Sequence, residues 1–171
     1  MKTIEEQIFE HVQKTPDKVA LISGDTEITY VQLWNECLRA ASKLQTEYHL
    51  QKGDRVILSA AGNIEFVYVY FGVHIAGGIC VPIDPDTNQT RFEYIEKSTT
   101  PVCVMGTLHN VKRDTISFES VVDSDTKSVY AIPDVGQVAD VLFTTVRQAL
   151  LRGLPCRIQI FRQLLAISIL S

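Results

Sequence analysis

Residues 55–83 read RVILSAAGNIEFVYVYFGVHIAGGICVPI, and this stretch decides the fold. Residues 55–59 and 79–82 are short apolar runs of the kind that form buried strands. Between them Asn63, a good N-cap residue, begins an apolar helix that ends at Ala76, where two glycines follow. A strand, a helix and a second strand with such short connections predict a parallel β-α-β unit.

The same alternation continues on both sides of this unit. Outside it, the pattern predicts helices over 3–14, 31–48 and 90–98 and strands over 19–22, 27–30, 102–105, 128–132 and 138–145. Gly24 and Asp25 are expected to form the turn of a hairpin. The order of elements predicts an α/β protein with a partial doubly wound parallel sheet and flanking helices.

The composition is that of an ordinary globular domain. Of 171 residues, 46% are apolar and 21% are charged, which is enough for one domain with its own core. The net charge of −4 gives no general attraction to nucleic acid or to an anionic membrane. The polar start does not resemble a signal peptide, and no apolar run approaches the roughly 20 residues of a membrane helix. We therefore expect a cytoplasmic protein with no membrane span and no nucleic-acid partner.

The cysteines do not form a recognisable metal or redox motif. The four cysteines lie far apart in the sequence, at Cys37, Cys80, Cys103 and Cys156. They include no C-x-x-C pair, and no histidine stands at ligand spacing from them. We expect four free thiols in a reducing compartment and no bound metal.

The familiar catalytic motifs are missing. The chain lacks G-x-S-x-G, H-E-x-x-H, G-x-G-x-x-G and a complete Walker loop. Asp84 and Asp86 stand beside prolines and are expected to shape a turn rather than to act as acid and base. Gly77 and Gly78 follow a helix and are expected to end it rather than to bind phosphate. The four histidines are scattered along the chain, at His11, His49, His74 and His109. This scatter favours core or surface roles over metal ligation. We predict no catalytic residue and no metal ligand.

Several short segments nevertheless match, in order and at the right spacing, the core motifs of one enzyme family. They are TPDKVA (15–20), ITYVQL (28–33), KGDRV (52–56), NIEF (63–66) and AGGICVPIDP (76–85). The chain resembles the adenylate-forming enzymes, that is, the AMP-dependent synthetase/ligase or AMP-binding group. This group includes acyl-CoA synthetases, luciferases and the adenylation domains of nonribosomal peptide synthetases.

The resemblance implies a reaction and a binding loop. The parent enzyme would activate a carboxylic acid with ATP and magnesium to an acyl-adenylate, and then transfer the acyl group to coenzyme A or to a carrier-protein phosphopantetheine. In the family, the strand equivalent to 139–143 runs into a Thr/Ser- and Gly-rich loop that ends in Lys-Gly and cradles the phosphates. Thr144 and Thr145 match the first two residues of that loop, as a remnant of the ATP site.

After Thr145 the family pattern stops. Residues 146–153, VRQALLRG, have neither the glycine pair nor the lysine of the loop. Residues 146–149 can be encoded as GTA CGA CAG GCx, where the third bases are chosen freely. If one G is restored before these codons, they regroup as GGT ACG ACA GGC, which encodes Gly-Thr-Thr-Gly. In the same frame 151–153 regroup to include Lys-Gly, and the next codons allow Leu-Ser-His and then Asn or Asp. We interpret the departure as a change of reading frame.

The charge distribution changes at the same place. Residues 1–140 carry 12 basic and 20 acidic side chains, whereas 141–171 carry four arginines and neither lysine nor acid. Such a break is typical of a segment of different origin. The arginines recur every five residues, a spacing that does not keep them on one face of a helix.

The sequence therefore predicts residues 1–145 as the N-terminal part of an AMP-binding domain and 146–171 as an out-of-frame, disordered or non-native tail. The resemblance implies that several parts of the enzyme lie downstream of this sequence, namely the acyl pocket, the residues that bind magnesium and ribose, and the mobile C-terminal domain. We therefore expect this chain to be inactive and to bind no cofactor. The alternative is a small non-catalytic α/β interaction module whose basic tail binds a membrane surface.

Overall fold

A computed structural model describes residues 2–59, 62–122 and 138–143, and the strand backbone at 158–161. The helices in this part of the chain are α1 (Ile4–Lys14), α2 (Tyr30–Thr46), α3 (Ile64–Ile75), α4 (Gln89–Thr99) and α5 (Phe118–Val122). The strands are β1 (Val19–Ser23), β2 (Thr26–Thr29), β3 (Arg55–Ser59), β4 (Ile79–Ile83), β5 (Cys103–Met105), β6 (Asp140–Phe143) and β7 (Ile158–Phe161). The strand predicted at 128–132 lies outside the described residues.

Capping residues explain where three of the helices begin. Thr3 accepts a hydrogen bond from the backbone N–H of Glu6, and the Glu6 carboxylate accepts one from the backbone N–H of Thr3. Thr29 and Gln32 form the same reciprocal pair at the start of α2. Asn63 caps α3 as predicted. Each cap satisfies backbone donors that the first turn of a helix leaves unpaired.

The parallel sheet is confirmed. Its order is β5-β3-β4-β6-β7, and β3 pairs in parallel with both β4 and β5. β6 pairs in parallel with β4, with Cys80 opposite Asp140. β1 and β2 form a separate antiparallel hairpin, with the turn where Gly24 and Asp25 predict it. The α/β prediction therefore holds in class and in strand direction.

The last strand runs the other way. β7 pairs antiparallel with β6, with Phe161 opposite Asp140 and Ile158 opposite Phe143. These four residues belong to the segment that the sequence predicts to be disordered or non-native. The open edge of a sheet offers unpaired N–H and C=O groups to any extended segment, so such an addition requires no family-specific sequence.

Apolar residues cover both faces of the sheet. Successive residues of β3 point to opposite sides, so that Val56 and Leu58 join a large core with α1, α2, α3 and α5, whereas Ile57 joins a smaller core under α4. Gly72 of α3 lets that helix approach α2 closely, because a Cβ at this position would lie 2.7 Å from the Cβ of Ala40. The helices thus flank the sheet on two sides, as in doubly wound proteins.

None of the helices in the described part of the chain combines the length and the apolar character that a membrane crossing requires.

Candidate functional site

The sequence predicts a site directly after β6, and β6 ends at the carboxyl edge of the parallel strands, where open α/β sheets bind their ligands. β4 ends there at Ile83 and β6 ends there at Phe143. Thr144 and Thr145, which follow Phe143 in the sequence, lie outside the described residues. Their assignment to a phosphate loop therefore stays a prediction, and the structure describes the elements that lead to it.

Helix α4 places a guanidinium against the end of β6. Asn88 caps the helix, and its side-chain oxygen accepts a hydrogen bond from the backbone N–H of Arg91 at 2.9 Å. Nη2 of Arg91 donates to the carbonyl oxygen of Phe143 at 2.8 Å. Hydrogen bonds from a charged donor are short and comparatively strong. Arg91 therefore fixes the last residue of β6 relative to α4.

An open cavity of about 330 Å³ lies beside this contact, and its wall includes Asp84, Asp86, Arg91 and Phe143. The backbone N–H of Asp86 donates to Oδ1 of Asp84 at 2.7 Å, so the predicted turn is confirmed. Asp86 also faces the exposed ring of His109, with Nδ1 and Oδ1 2.9 Å apart. Two carboxylates and one guanidinium line this wall, a balance that does not favour a polyanion.

The two glycines after α3 end the helix, as predicted. Gly77 has a φ of +86°, in the left-handed region that glycine adopts without strain. Its N–H donates to the carbonyl of His74, and the N–H of Gly78 donates to the carbonyl of Val73. Both precede β4, so they lie at the amino end of that strand and not at the edge where Phe143 ends β6.

A separate group of polar residues lies in the core between α1, α3, β4 and β6. We call Glu5, Tyr70, His74, Cys80 and Asp140 the buried cluster, since each is at most 9% exposed. Nδ1 of His74 lies 2.8 Å from Oε1 of Glu5. The hydroxyl of Tyr70 lies 2.9 Å from each carboxylate oxygen of Asp140. Nε2 of His74 faces Oδ1 of Asp140 at 3.6 Å.

Burial and charge shift the protonation of the buried cluster. Burial lowers the pKa of His74, but Cys80, Asp140 and Glu5 together raise it more, so the pKa lies well above its ordinary value. Burial raises the pKa of Glu5, but the hydrogen bond and the charge of His74 outweigh burial and lower it. Burial also raises the pKa of the Tyr70 hydroxyl and of the Cys80 thiol. The raised pKa of His74 and the lowered pKa of Glu5 both favour an imidazolium paired with a carboxylate.

Sequence reasoning missed the buried cluster, because its members are spread from position 5 to position 140. Tyr70 and His74 are four residues apart and share a face of α3, which is the one local link. The usable signal is a titratable residue inside an apolar segment, as His74 is in α3 and Asp140 is at the start of β6.

The fold defines a class, namely an α/β protein in which helices flank a mainly parallel sheet, and Thr144 and Thr145 follow its strand β6 in the sequence. Comparison with known proteins gives the family: the model of the AMP-binding enzyme family matches residues 8–150. The chain belongs to the AMP-binding enzyme family.

Relatives and solved structures agree with this family. Bacitracin synthase 2 of Bacillus licheniformis is 28% identical over 143 residues, which cover 83% of this chain and 5% of that protein. The N-terminal subdomain of Klebsiella oxytoca NpsA, solved with anthranilyl-AMSN, has a TM-score of 0.74 at 22% identity over 84% of this chain. NpsA-ThdA, an artificially fused adenylation–PCP di-domain NRPS from Klebsiella oxytoca, has a TM-score of 0.73 at 21% identity over 84% of this chain.

The chain spans a small part of these proteins. It covers 38% of the NpsA subdomain and 28% of the NpsA-ThdA fusion. The structural matches therefore show the fold of the N-terminal part of an adenylation domain.

Proposed function

We propose that this chain is the N-terminal part of a nonribosomal-peptide-type adenylation domain. The whole domain would activate a carboxylic acid with ATP and magnesium to an acyl-adenylate and pass the acyl group to a carrier-protein phosphopantetheine. The observation that carries the proposal is the position of β6, parallel to β4 and fixed at Phe143 by Arg91, directly before Thr144 and Thr145. The basic tail on which the alternative of a membrane-binding interaction module rests lies outside the described residues, apart from the backbone of 158–161.

The thiol acceptor is proposed from the proteins of similar fold. NpsA was solved with anthranilyl-AMSN, and NpsA-ThdA joins an adenylation domain to a PCP. This pairing favours a carrier protein over coenzyme A as the acceptor. We also propose a cytoplasmic location, with which the free thiols of Cys37, Cys80 and Cys103 are compatible.

The sequence after Thr145 and the described edge of the sheet do not fit the ATP phosphates. A phosphate cradle needs close-approaching backbone N–H groups, which glycine permits, and a cation. Val146 and Arg147 follow Thr145 instead of glycine and threonine. At the described edge, Asp84 and Asp86 stand against the single guanidinium of Arg91. We therefore expect no adenylate formation by this chain.

We propose that the reading frame changes after codon 145, which divides the chain into a family segment (1–145) and a tail (146–171). The support is the regrouping of the codons to Gly-Thr-Thr-Gly and Lys-Gly, and the loss of all acids and lysines after Asp140. A tail read in another frame would not keep the donors that stabilise a pyrophosphate leaving group.

Carboxylate-dependent exchange of labelled pyrophosphate into ATP tests the proposal. The 171-residue chain should show no exchange with a panel of amino and aryl acids. The product of a gene with one G restored after codon 145, read through the downstream frame, should show exchange with at least one acid. Exchange by the 171-residue chain, or a folded restored product without exchange on any acid, would contradict the proposal.

A further inference from the structure

We propose that the buried cluster is a structural zinc site, with Nε2 of His74, Sγ of Cys80 and a carboxylate oxygen of Asp140 as ligands. These atoms all lie within 4.8 Å of one another, and all three residues are buried. Nε2 of His74 is buried and has no hydrogen-bond partner among the described residues. A buried ring nitrogen without a partner is costly unless something else binds it.

The separation of the histidine nitrogen and the aspartate oxygen suits a shared ion better than a hydrogen bond. Nε2 of His74 and Oδ1 of Asp140 are 3.6 Å apart, which is too long for a good N–H···O hydrogen bond. Zinc binds nitrogen and carboxylate oxygen at about 2.0–2.2 Å, so two such ligands on one tetrahedral ion stand roughly 3–4 Å apart. The observed separation lies in that range.

Both the histidine and the carboxylate already have the outer partners that metal ligands usually have. Oε1 of Glu5 lies 2.8 Å from Nδ1 of His74, an arrangement that places a proton on Nδ1 and directs Nε2 to the cluster. The Tyr70 hydroxyl holds the carboxylate of Asp140. Cys80 and Asp140 are register partners on β4 and β6, so the sheet itself fixes their separation.

The donor set selects zinc. An imidazole, a thiolate and a carboxylate suit Zn²⁺, whereas Mg²⁺ and Ca²⁺ require mainly oxygen ligands. The second oxygen of Asp140, which the Tyr70 hydroxyl contacts at 2.9 Å, would take the fourth position. Binding would release the thiol proton of Cys80, because zinc ligation deprotonates cysteine outright.

The position of the site indicates a structural role. Asp140 begins β6 and Phe143 ends it, so the cluster lies roughly 10 Å from the carboxyl edge at about 3.3 Å per residue. The ligands come from α3, β4 and β6, and an ion there would join the helix to two strands. Because every ligand is buried, the ion would enter while the chain folds.

The test is refolding of the full chain with Zn²⁺ or Co²⁺ in a phosphine reductant, followed by gel filtration and metal analysis. We expect one ion per chain, a thiolate-to-cobalt charge-transfer band in the near ultraviolet, and a higher urea midpoint than for the metal-free chain. Cys80→Ser and His74→Gln should each abolish stoichiometric binding. The matched control is Cys103→Ser, which removes a buried cysteine of the same sheet outside the cluster and should keep one ion and the cobalt band.

Two results would overturn the site. The first is a wild-type chain that folds, as judged by circular dichroism, but retains no stoichiometric metal and shows no cobalt–thiolate band. The second is a folded Cys80→Ser variant that binds as the wild type does. If Cys80→Ser does not fold, the wild-type cobalt spectrum decides, because the charge-transfer band itself requires a thiolate ligand.

Discussion

The guanidinium of Arg91 donates a hydrogen bond of 2.8 Å to the main-chain carbonyl of Phe143, 52 positions further along the chain. Arg91 lies in the first turn of α4, and Phe143 is the last residue of β6. The contact joins the helix that follows β4 to the strand that precedes Thr144 and Thr145. It therefore fixes the position of the last described residue before Thr144 and Thr145.

Replacing Arg91 with methionine should lower the free energy of unfolding by about 1–2 kcal/mol, because the Phe143 carbonyl loses a charged donor while the apolar stem is kept. The control is Arg39→Met on α2, whose half-exposed guanidinium pairs with Glu36 and should contribute less than about 0.5 kcal/mol. Urea titration followed by circular dichroism measures both. Equal losses in the two variants would show that the Arg91 contact has no special role.

Replacing His74 with leucine should lower the free energy of unfolding by about 3–5 kcal/mol at pH 7 in the presence of a chelator. The reason is that the substitution removes one member of a buried charge pair and leaves the Glu5 carboxylate in the core without its imidazole. Urea titration at several protein concentrations is the measurement.

The chain supplies a matched control for that change. His109 faces Asp86 at 2.9 Å, nearly the 2.8 Å of His74 and Glu5, but its side chain is 58% exposed. Since solvent screens an exposed pair, His109→Leu should cost less than about 1 kcal/mol. A similar loss for both histidines would mean that burial does not determine the strength of these contacts.

Replacing Gly72 with alanine should destabilise the chain by about 1–3 kcal/mol, although alanine is the better helix former by about 1 kcal/mol. The added methyl group would lie 2.7 Å from the Cβ of Ala40 and 3.1 Å from the backbone nitrogen of Ala41. Gly62→Ala is the control, because nothing lies within 4 Å of its added Cβ. Thermal unfolding of both variants is the measurement, and a neutral or stabilised Gly72→Ala would refute the close packing of α2 on α3.

The cysteines should be reduced but slow to react in the native state. Burial raises the pKa of Cys103 to about 12, far above the roughly 8.5 of an exposed thiol. Its alkylation should therefore stay slow between pH 7 and pH 9, a range in which an exposed thiol reacts progressively faster. Peptide mapping after timed alkylation measures the rate, and denaturation with a chelator should release four thiols without reductant. Fast native labelling at Cys103, or fewer than four thiols, would contradict this expectation.

Much of the fold could be predicted, because its signals are local. The apolar run at 55–59, the cap at Asn63 and the glycines at 77–78 each act over a few residues. Among the described residues, the structure has every predicted element within about two residues of its predicted bounds. Strand direction also followed, since a strand–helix–strand order with short connections permits little except parallel pairing. The antiparallel pairing of β7 could not be predicted, because it depends on an open edge and not on a motif.

The site was less predictable, because its contacts join distant segments. Thr144 and Thr145 were found by resemblance alone. Arg91 looks in sequence like an ordinary exposed helix residue, and its contact with Phe143 exists only once β6 lies beside β4. Glu5 and His74 meet because α1 packs against the core formed by α3, a tertiary arrangement that neither segment encodes by itself.

The central claim is that the reading frame of an adenylation-domain gene changes after codon 145. The nucleotide sequence from codon 145 through the region downstream of the last codon tests this claim most directly. We predict that the third base is A in the codons of Val146 and Arg147 and G in the codon of Gln148. We also predict the codons TTA for Leu151 and AGG for Arg152. We also predict that one G added after codon 145 opens a frame that continues through the remainder of an adenylation domain. The claim would be contradicted by third bases that do not encode Gly-Thr-Thr-Gly or Lys-Gly in the restored frame. A stop codon soon afterwards in that frame would also contradict it.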